Sequence, residues 1–165
     1  MSEKEFGKLF PEGIVPGRTL PFVHKGKWAI HGLLPFLLSY TGDADVYVAT
    51  FNVSEDSLRT FFFLQEGKSI RSLTMILDTT VKRHKLDMLL FAANVTPDIH
   101  IASNHMKVML VENGSRFVGV VGSANMNNNP RYEAGFIFTD EQYYRYFKDA
   151  FMNVYRTDSV AFEWN

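Results

Sequence analysis

The stretch HMKVMLVENGSRFVGVVGSANM, residues 105–126, decides how this chain reads. It holds two apolar runs separated by Asn113-Gly114, a dipeptide that accepts the positive backbone angles of a tight hairpin. Two antiparallel strands are therefore expected. Side chains two apart on a strand share a face, so His105 and Lys107 point one way, and Met106, Val108 and Leu110 the other. An ammonium group buried without an anionic partner is costly, so the face carrying Lys107 must open to solvent or to an anion. Gly122-Ser123-Ala124-Asn125 follows the second run and adds a hydroxyl and a carboxamide. Imidazole, ammonium, hydroxyl and amide together suit a phosphate: one nucleophile or acid–base group and three donors.

Outward from this stretch the chain alternates. DVYVATFNV (45–53) is rich in β-branched and aromatic residues and predicts a central strand. Ser54, with acidic residues after it, caps a helix that ends at Gly67. RSLTMILDTT (71–80) is nearly continuously apolar, as a strand buried on both faces would be. A basic segment, VKRHK (81–85), leads into the amphipathic helix LDMLLFAANV, and a strand follows Pro97. Beyond the hairpin, YEAGFIFTD predicts another strand, and Asp140 caps a closing helix with aromatic residues at helical spacing. Early strand–helix alternation followed by a meander predicts an α/β fold: a mixed, mainly parallel sheet flanked by helices on both faces. Residues 1–40 predict an N-terminal arm with a short strand at Leu20–Val23 and a buried helix carrying Pro35 in its first turns. Residues 41–165 predict the remaining unit.

The totals exclude several classes. A chain of 165 residues with 46% hydrophobic and 21% charged residues can bury a core of its own and is not of disordered composition. With no cysteine, disulfides, thiolate catalysis and Cys-ligated metal are ruled out. A net charge of −1 argues against a uniformly basic surface, though not against a local basic groove. The beginning MSEKEFGKLF has no apolar run of the secretory kind, and GLLPFLLSY is too short to span a bilayer. A cytoplasmic protein with no stable membrane association is expected.

HMKVMLVE followed by GSAN, with Glu133 in PRYEAGFIF, resembles the HxKxxxxD…GSxN signature of the phospholipase D superfamily. The resemblance runs from about Thr41 to the C-terminus and implies one half-domain of that fold. HKGK (24–27) and RHK (83–85) mimic its first part, but GSxN follows neither. Glu112 stands where the family has aspartate, a supporting position. The family reaction uses two such motifs, and this chain has one. The resemblance therefore implies a homodimer with a composite site, acting as a metal-independent phosphodiesterase with no cofactor. His105, Lys107, Ser123, Asn125 and Glu133 are the implied catalytic set. His105 of one copy attacks phosphorus to give a phosphohistidine, and His105 of the other protonates the leaving oxygen. Lys107, Ser123 and Asn125 hold the non-bridging oxygens, and Glu133 orients an imidazole. A free imidazole titrates at roughly 6.5, so one neutral and one protonated ring can coexist near neutrality and a bell-shaped rate profile is expected.

Single-motif members of the superfamily are typically nucleases, so nucleic acid is the expected partner, DNA ahead of RNA. Lys82, Arg83 and Lys85 follow a strand end, where ligands bind in α/β sheets, and with Arg131 of NNNPR (127–131) they are the expected phosphate contacts. Asn52 could line the same cleft. Plainer readings stand beside these: VKRHK as a solvated helix start, Glu133 as a surface salt bridge to Arg131, FFF (61–63) and YYRYF (143–147) as core or interface. Two rival functions stay open. One is a weakly active or inactive nucleic-acid-binding module that keeps a phosphate pocket; the other is a lipid phosphodiesterase.

Overall fold

Ser2 begins the first helix with a reciprocal cap, its hydroxyl accepting from the Glu5 amide while the Glu5 carboxylate accepts from the Ser2 amide. The structure is a computed structural model that describes residues 2–128 and 130–163. In chain order it holds α1 (Glu3–Leu9), β1 (Thr19–Lys25), α2 (Leu34–Thr41), β2 (Ala44–Thr50), α3 (Glu55–Glu66), β3 (Ile70–Asp78), α4 (Thr79–His84) and α5 (Leu86–Val95). There follow β4 (Asp98–Ala102), β5 (Val108–Glu112), β6 (Phe117–Gly122), β7 (Tyr132–Phe138), α6 (Glu141–Asn153) and β8 (Val160–Ala161). Local chemistry sets the helix starts as the sequence predicts. Ser54 accepts from the Ser57 amide, Asp140 accepts from the Tyr143 amide, and Pro35 sits in the first turn of α2.

The strands form one sheet in the order β1-β7-β6-β5-β2-β3-β4-β8. The α/β class and the mixed sheet flanked by helices are as expected; the mainly parallel balance is not. Only β2–β3 and β3–β4 pair in parallel, and the other neighbours run antiparallel. A parallel pair needs a long crossover, and only α3 and the α4–α5 segment supply one. From β5 to β7 the links are shorter than such a crossover, so each strand reverses; the β5–β6 turn uses Asn113 and Gly114, the latter at φ 89°.

Alternation splits the core in two. Val46, Val48, Met75, Leu77, Met109 and Val111 pack towards α2, α3 and α5. Ala49, Ile76, Val108, Leu110 and Phe138 pack towards α6, where Tyr144 and Phe151 meet them. Gly119 permits that second contact, since a Cβ there would fall 2.3 Å from the Phe138 ring. Helix α6 covers its face only in part. Val23, Tyr132 and Phe136 remain exposed on the β1–β7 side of it, beside a shallow apolar cavity lined by Thr19, Val121, Phe136, Phe138, Tyr143 and Phe147. At the outer edge, β1 carries Pro21 opposite Phe136. Among the described residues, no helix is long and apolar enough to cross a membrane.

Candidate active site

The strand directions bring one rim of the sheet together. The C-terminal ends of β1, β2, β3 and β6 and the N-terminal ends of β5 and β7 meet there. His105 and Lys107 lie at this rim, but on an extended segment before β5 rather than within the strand. Asn104 explains how they are held. It is 4% exposed, and its carboxamide donates to the carbonyls of Thr50 and Ile76, at the ends of β2 and β3, and accepts from the Met106 amide at 2.9 Å. Its own amide donates to the Asp78 carboxylate, which also caps α4 through the Thr80 amide. Asn104 thus pins the His105 segment to two neighbouring strands. Replacing it by leucine should cost about 2–4 kcal/mol in urea unfolding, because it leaves two buried carbonyls and an amide unpaired.

The Lys107 ammonium lies 3.1 Å from His105 Nδ1 and 2.9 Å from the His105 carbonyl. As the ammonium can only donate, Nδ1 accepts, and the neutral ring carries its proton on Nε2. The imidazole is exposed on one side and meets the Phe51 ring on the other, with centroids 4.8 Å apart. Burial pulls the Lys107 pKa below the usual lysine value, and the Glu133 carboxylate opposes that shift. Ser123 donates its hydroxyl to Glu133 and accepts from the Ala134 amide at 3.1 Å. Glu133 is 8% exposed. Asn125 turns a buried carboxamide oxygen that has no hydrogen-bond partner among the described residues. Five chemically distinct groups from three chain segments therefore share the rim. They can receive an anion and present an imidazole to it.

The other expected contacts divide. Lys85 donates to the Asn52 carboxamide at 2.6 Å, just past the C-terminal end of β2. Lys82 and Arg83 instead line a separate cavity of about 430 Å³ with Thr79, Ile101 and Phe162. Arg131 precedes β7, where its carbonyl accepts from the Gly26 amide, and the residue is exposed. In NNNPR, Asn129 lies outside the described residues. Glu112 sits at the opposite end of β5 from His105, roughly 20 Å away at strand rise. There it accepts from Lys148 at 2.7 Å, Tyr144 at 2.8 Å and Tyr47 at 3.3 Å.

Glu112 thus clamps β5 to α6 and β2. Burial would raise its pKa, but Lys148 and the two tyrosine hydroxyls outweigh this and hold it below the usual carboxylate range. A carboxylate depressed in the folded state contributes stability above its unfolded pKa and loses it as pH falls through the folded value. Glu112→Gln should therefore cost about 1–3 kcal/mol at pH 7. The gap from wild type should narrow in urea melts below a pH of about 4.

No protein-family model matches the chain, and no curated protein matches it in sequence. The fold has relatives. A phospholipase D family member, Nuc from Salmonella typhimurium, superposes with TM-score 0.67 at 12% identity over 89% of this chain and 100% of that one. The chain has the phospholipase D fold. Phosphatidylserine synthase from Haemophilus influenzae is also similar, with TM-score 0.57 and 12% identity over 90% of this chain and 41% of that one. TrmBL2, an archaeal chromatin protein, gives TM-score 0.53 at 12% identity over 97% and 60%. The phospholipase D fold here spans less than two thirds of those two relatives, whereas it accounts for Nuc whole.

Sequence reading missed two residues at the rim. Asn104 carries no motif signal, since an asparagine before a strand reads as a turn. His24 lies opposite Glu133 in the β1–β7 register, yet about a hundred residues of chain separate the pair, and only strand order joins them.

Proposed function

We propose that this chain is a homodimeric, metal-independent phosphodiesterase acting on nucleic acid, DNA ahead of RNA. The observation that carries the reading is the convergence of His105, Lys107, Ser123, Asn125 and Glu133 on one sheet rim. A phosphodiester entering there draws Lys107 from His105 Nδ1, which lets the ring hold its proton at Nδ1 and turn Nε2 on phosphorus. A P–N bond forms as the P–O bond to the leaving group breaks, and His105 of a second copy gives that oxygen its proton. The second imidazole then takes a proton from water, the hydroxide attacks phosphorus, and the P–N bond breaks. Lys107, Ser123 and Asn125 stabilise the charge that builds on the non-bridging oxygens. A bell-shaped dependence of kcat/KM on pH is expected, because one ring must be neutral and the other protonated.

Two further observations support parts of the reading. TrmBL2, whose structure describes a mode of DNA binding, shares the fold. In this reading Lys85 and Arg131 contact phosphates of the strand beside the reacting one, and Lys82 and Arg83, on α4, contact phosphates further from the rim. The exposed apolar strip of Val23, Tyr132 and Phe136 adjoins the rim through Tyr132, the neighbour of Glu133. It is the surface on which a second copy would complete the site. The test is cleavage of labelled single- and double-stranded DNA and RNA in EDTA. Cleavage that survives the chelator supports the histidine mechanism, and the substrate that is cut names itself. Salt-sensitive binding without turnover would instead favour a non-catalytic module, and turnover confined to lipid vesicles would favour a lipid phosphodiesterase.

A further inference from the structure

His24 takes no part in the set above, and its surroundings are unusual for a histidine. The residue is 5% exposed, yet neither ring nitrogen has a hydrogen-bond partner among the described residues. Leaving a buried polar atom unpaired costs about 1–3 kcal/mol, so the ring is kept there against a penalty. Its orientation is fixed. It stacks on Trp28 with centroids 3.8 Å apart and planes at 27°, and Phe22 lies beside it at 6.1 Å.

Its backbone faces Glu133. In the β1–β7 ladder the Gly26 amide donates to Arg131 and the Thr139 amide to Arg18. Those bonds mark alternate pairs as the hydrogen-bonded ones, and His24–Glu133 falls among them, with Cα atoms roughly 5.5 Å apart. The two side chains therefore leave the sheet on one face, side by side.

Ser123 supplies one hydrogen bond of Glu133 that phosphate would call away. A hydroxyl has one proton to give, and that of Ser123 goes to Glu133 while its oxygen accepts from Ala134. It cannot serve Glu133 and a phosphate oxygen at once. When Ser123 turns to phosphate, Glu133, which is 8% exposed, loses a charge-assisted hydrogen bond. We propose that His24 replaces it: an imidazole N–H held in reserve beside Glu133 takes up the carboxylate when Ser123 is drawn to phosphate. His24 is then a positioning residue, and β1 is part of the working site. The inference rests on the phosphate reading of the rim. The charged groups that act on the ring are Glu133 of β7 and Lys27, just beyond β1. Burial holds the imidazole below the usual histidine value, Glu133 draws it up and Lys27 pushes it down. The ring is neutral at pH 7 and retains the single N–H that the exchange needs.

The test follows the His24 ring by NMR in the ¹⁵N-labelled full chain, with inorganic phosphate as the probe. Phosphate should shift the Ser123 and Lys107 amides and raise the His24 titration midpoint by at least about half a unit. Ser123→Ala should raise that midpoint without phosphate, and Glu133→Gln should abolish both effects. A His24 midpoint that stays put in Ser123→Ala overturns the inference. So does one that stays put while phosphate shifts Ser123 and Lys107. If Ser123→Ala moves His24 but phosphate perturbs nothing, the His24–Glu133 pairing stands and the phosphate reading of the site falls instead.

Discussion

Replacing His105 by alanine abolishes EDTA-resistant cleavage, a loss on the order of 10⁴-fold or more, and leaves the fold unchanged. The imidazole is exposed and its neighbours are the Lys107 ammonium and the Phe51 ring, so nothing in the core depends on it. The composite site makes a sharper demand. If each turnover needs two copies of His105, a dimer of one wild-type and one His105→Ala chain is inert. Equal mixtures of the two proteins, exchanged to equilibrium, should retain about a quarter of the wild-type activity rather than half. Retention of half would mean that each copy works alone.

Phe136→Glu should give a monomer that cleaves at least about 100-fold more slowly, although every residue of its own half-site is intact. Phe136 is 47% exposed and stands between Val23, at 65%, and the apolar cavity beside α6. A carboxylate there would have to be desolvated against a second copy's apolar strip, at a cost of several kcal/mol. Sedimentation equilibrium run beside the cleavage assay checks both halves of the statement. A monomer as active as wild type removes the need for a second motif, and an inert dimer places the contact elsewhere.

What could be read from the sequence was what depends on neighbours along the chain. Helix caps at Ser54 and Asp140, the turn at Asn113-Gly114 and the placing of Pro35 are local chemistry, and all appear where expected. His105, Lys107 and the Gly-Ser-Ala-Asn turn fall within one hairpin, so their approach was legible too. The direction of β5 was not, because an apolar run packs equally well beside either orientation of a neighbour. The partners of Glu112 were not legible for a related reason. Its place in the motif is near His105 in sequence, but an extended strand carries it to the far end of the sheet, where α6 happens to supply a lysine and a tyrosine. Asn104 and His24 act through partners on other strands, and no spacing rule reaches them.

Pro21 bears on how many copies can come together. In the β1–β7 ladder, the bonds at Gly26 and Thr139 leave the backbone groups of the intervening residues, Pro21 included, facing outward. A further strand arriving at that edge would find no amide at its centre. The opposite edge ends in β8, a strand of two residues, too short to template another sheet. Growth by strand addition is thus blocked at both margins, and self-association is steered to a sheet face. A face that meets its own image about a two-fold axis closes after one partner, so pairing through that face, as proposed, would also protect the chain against forming fibres.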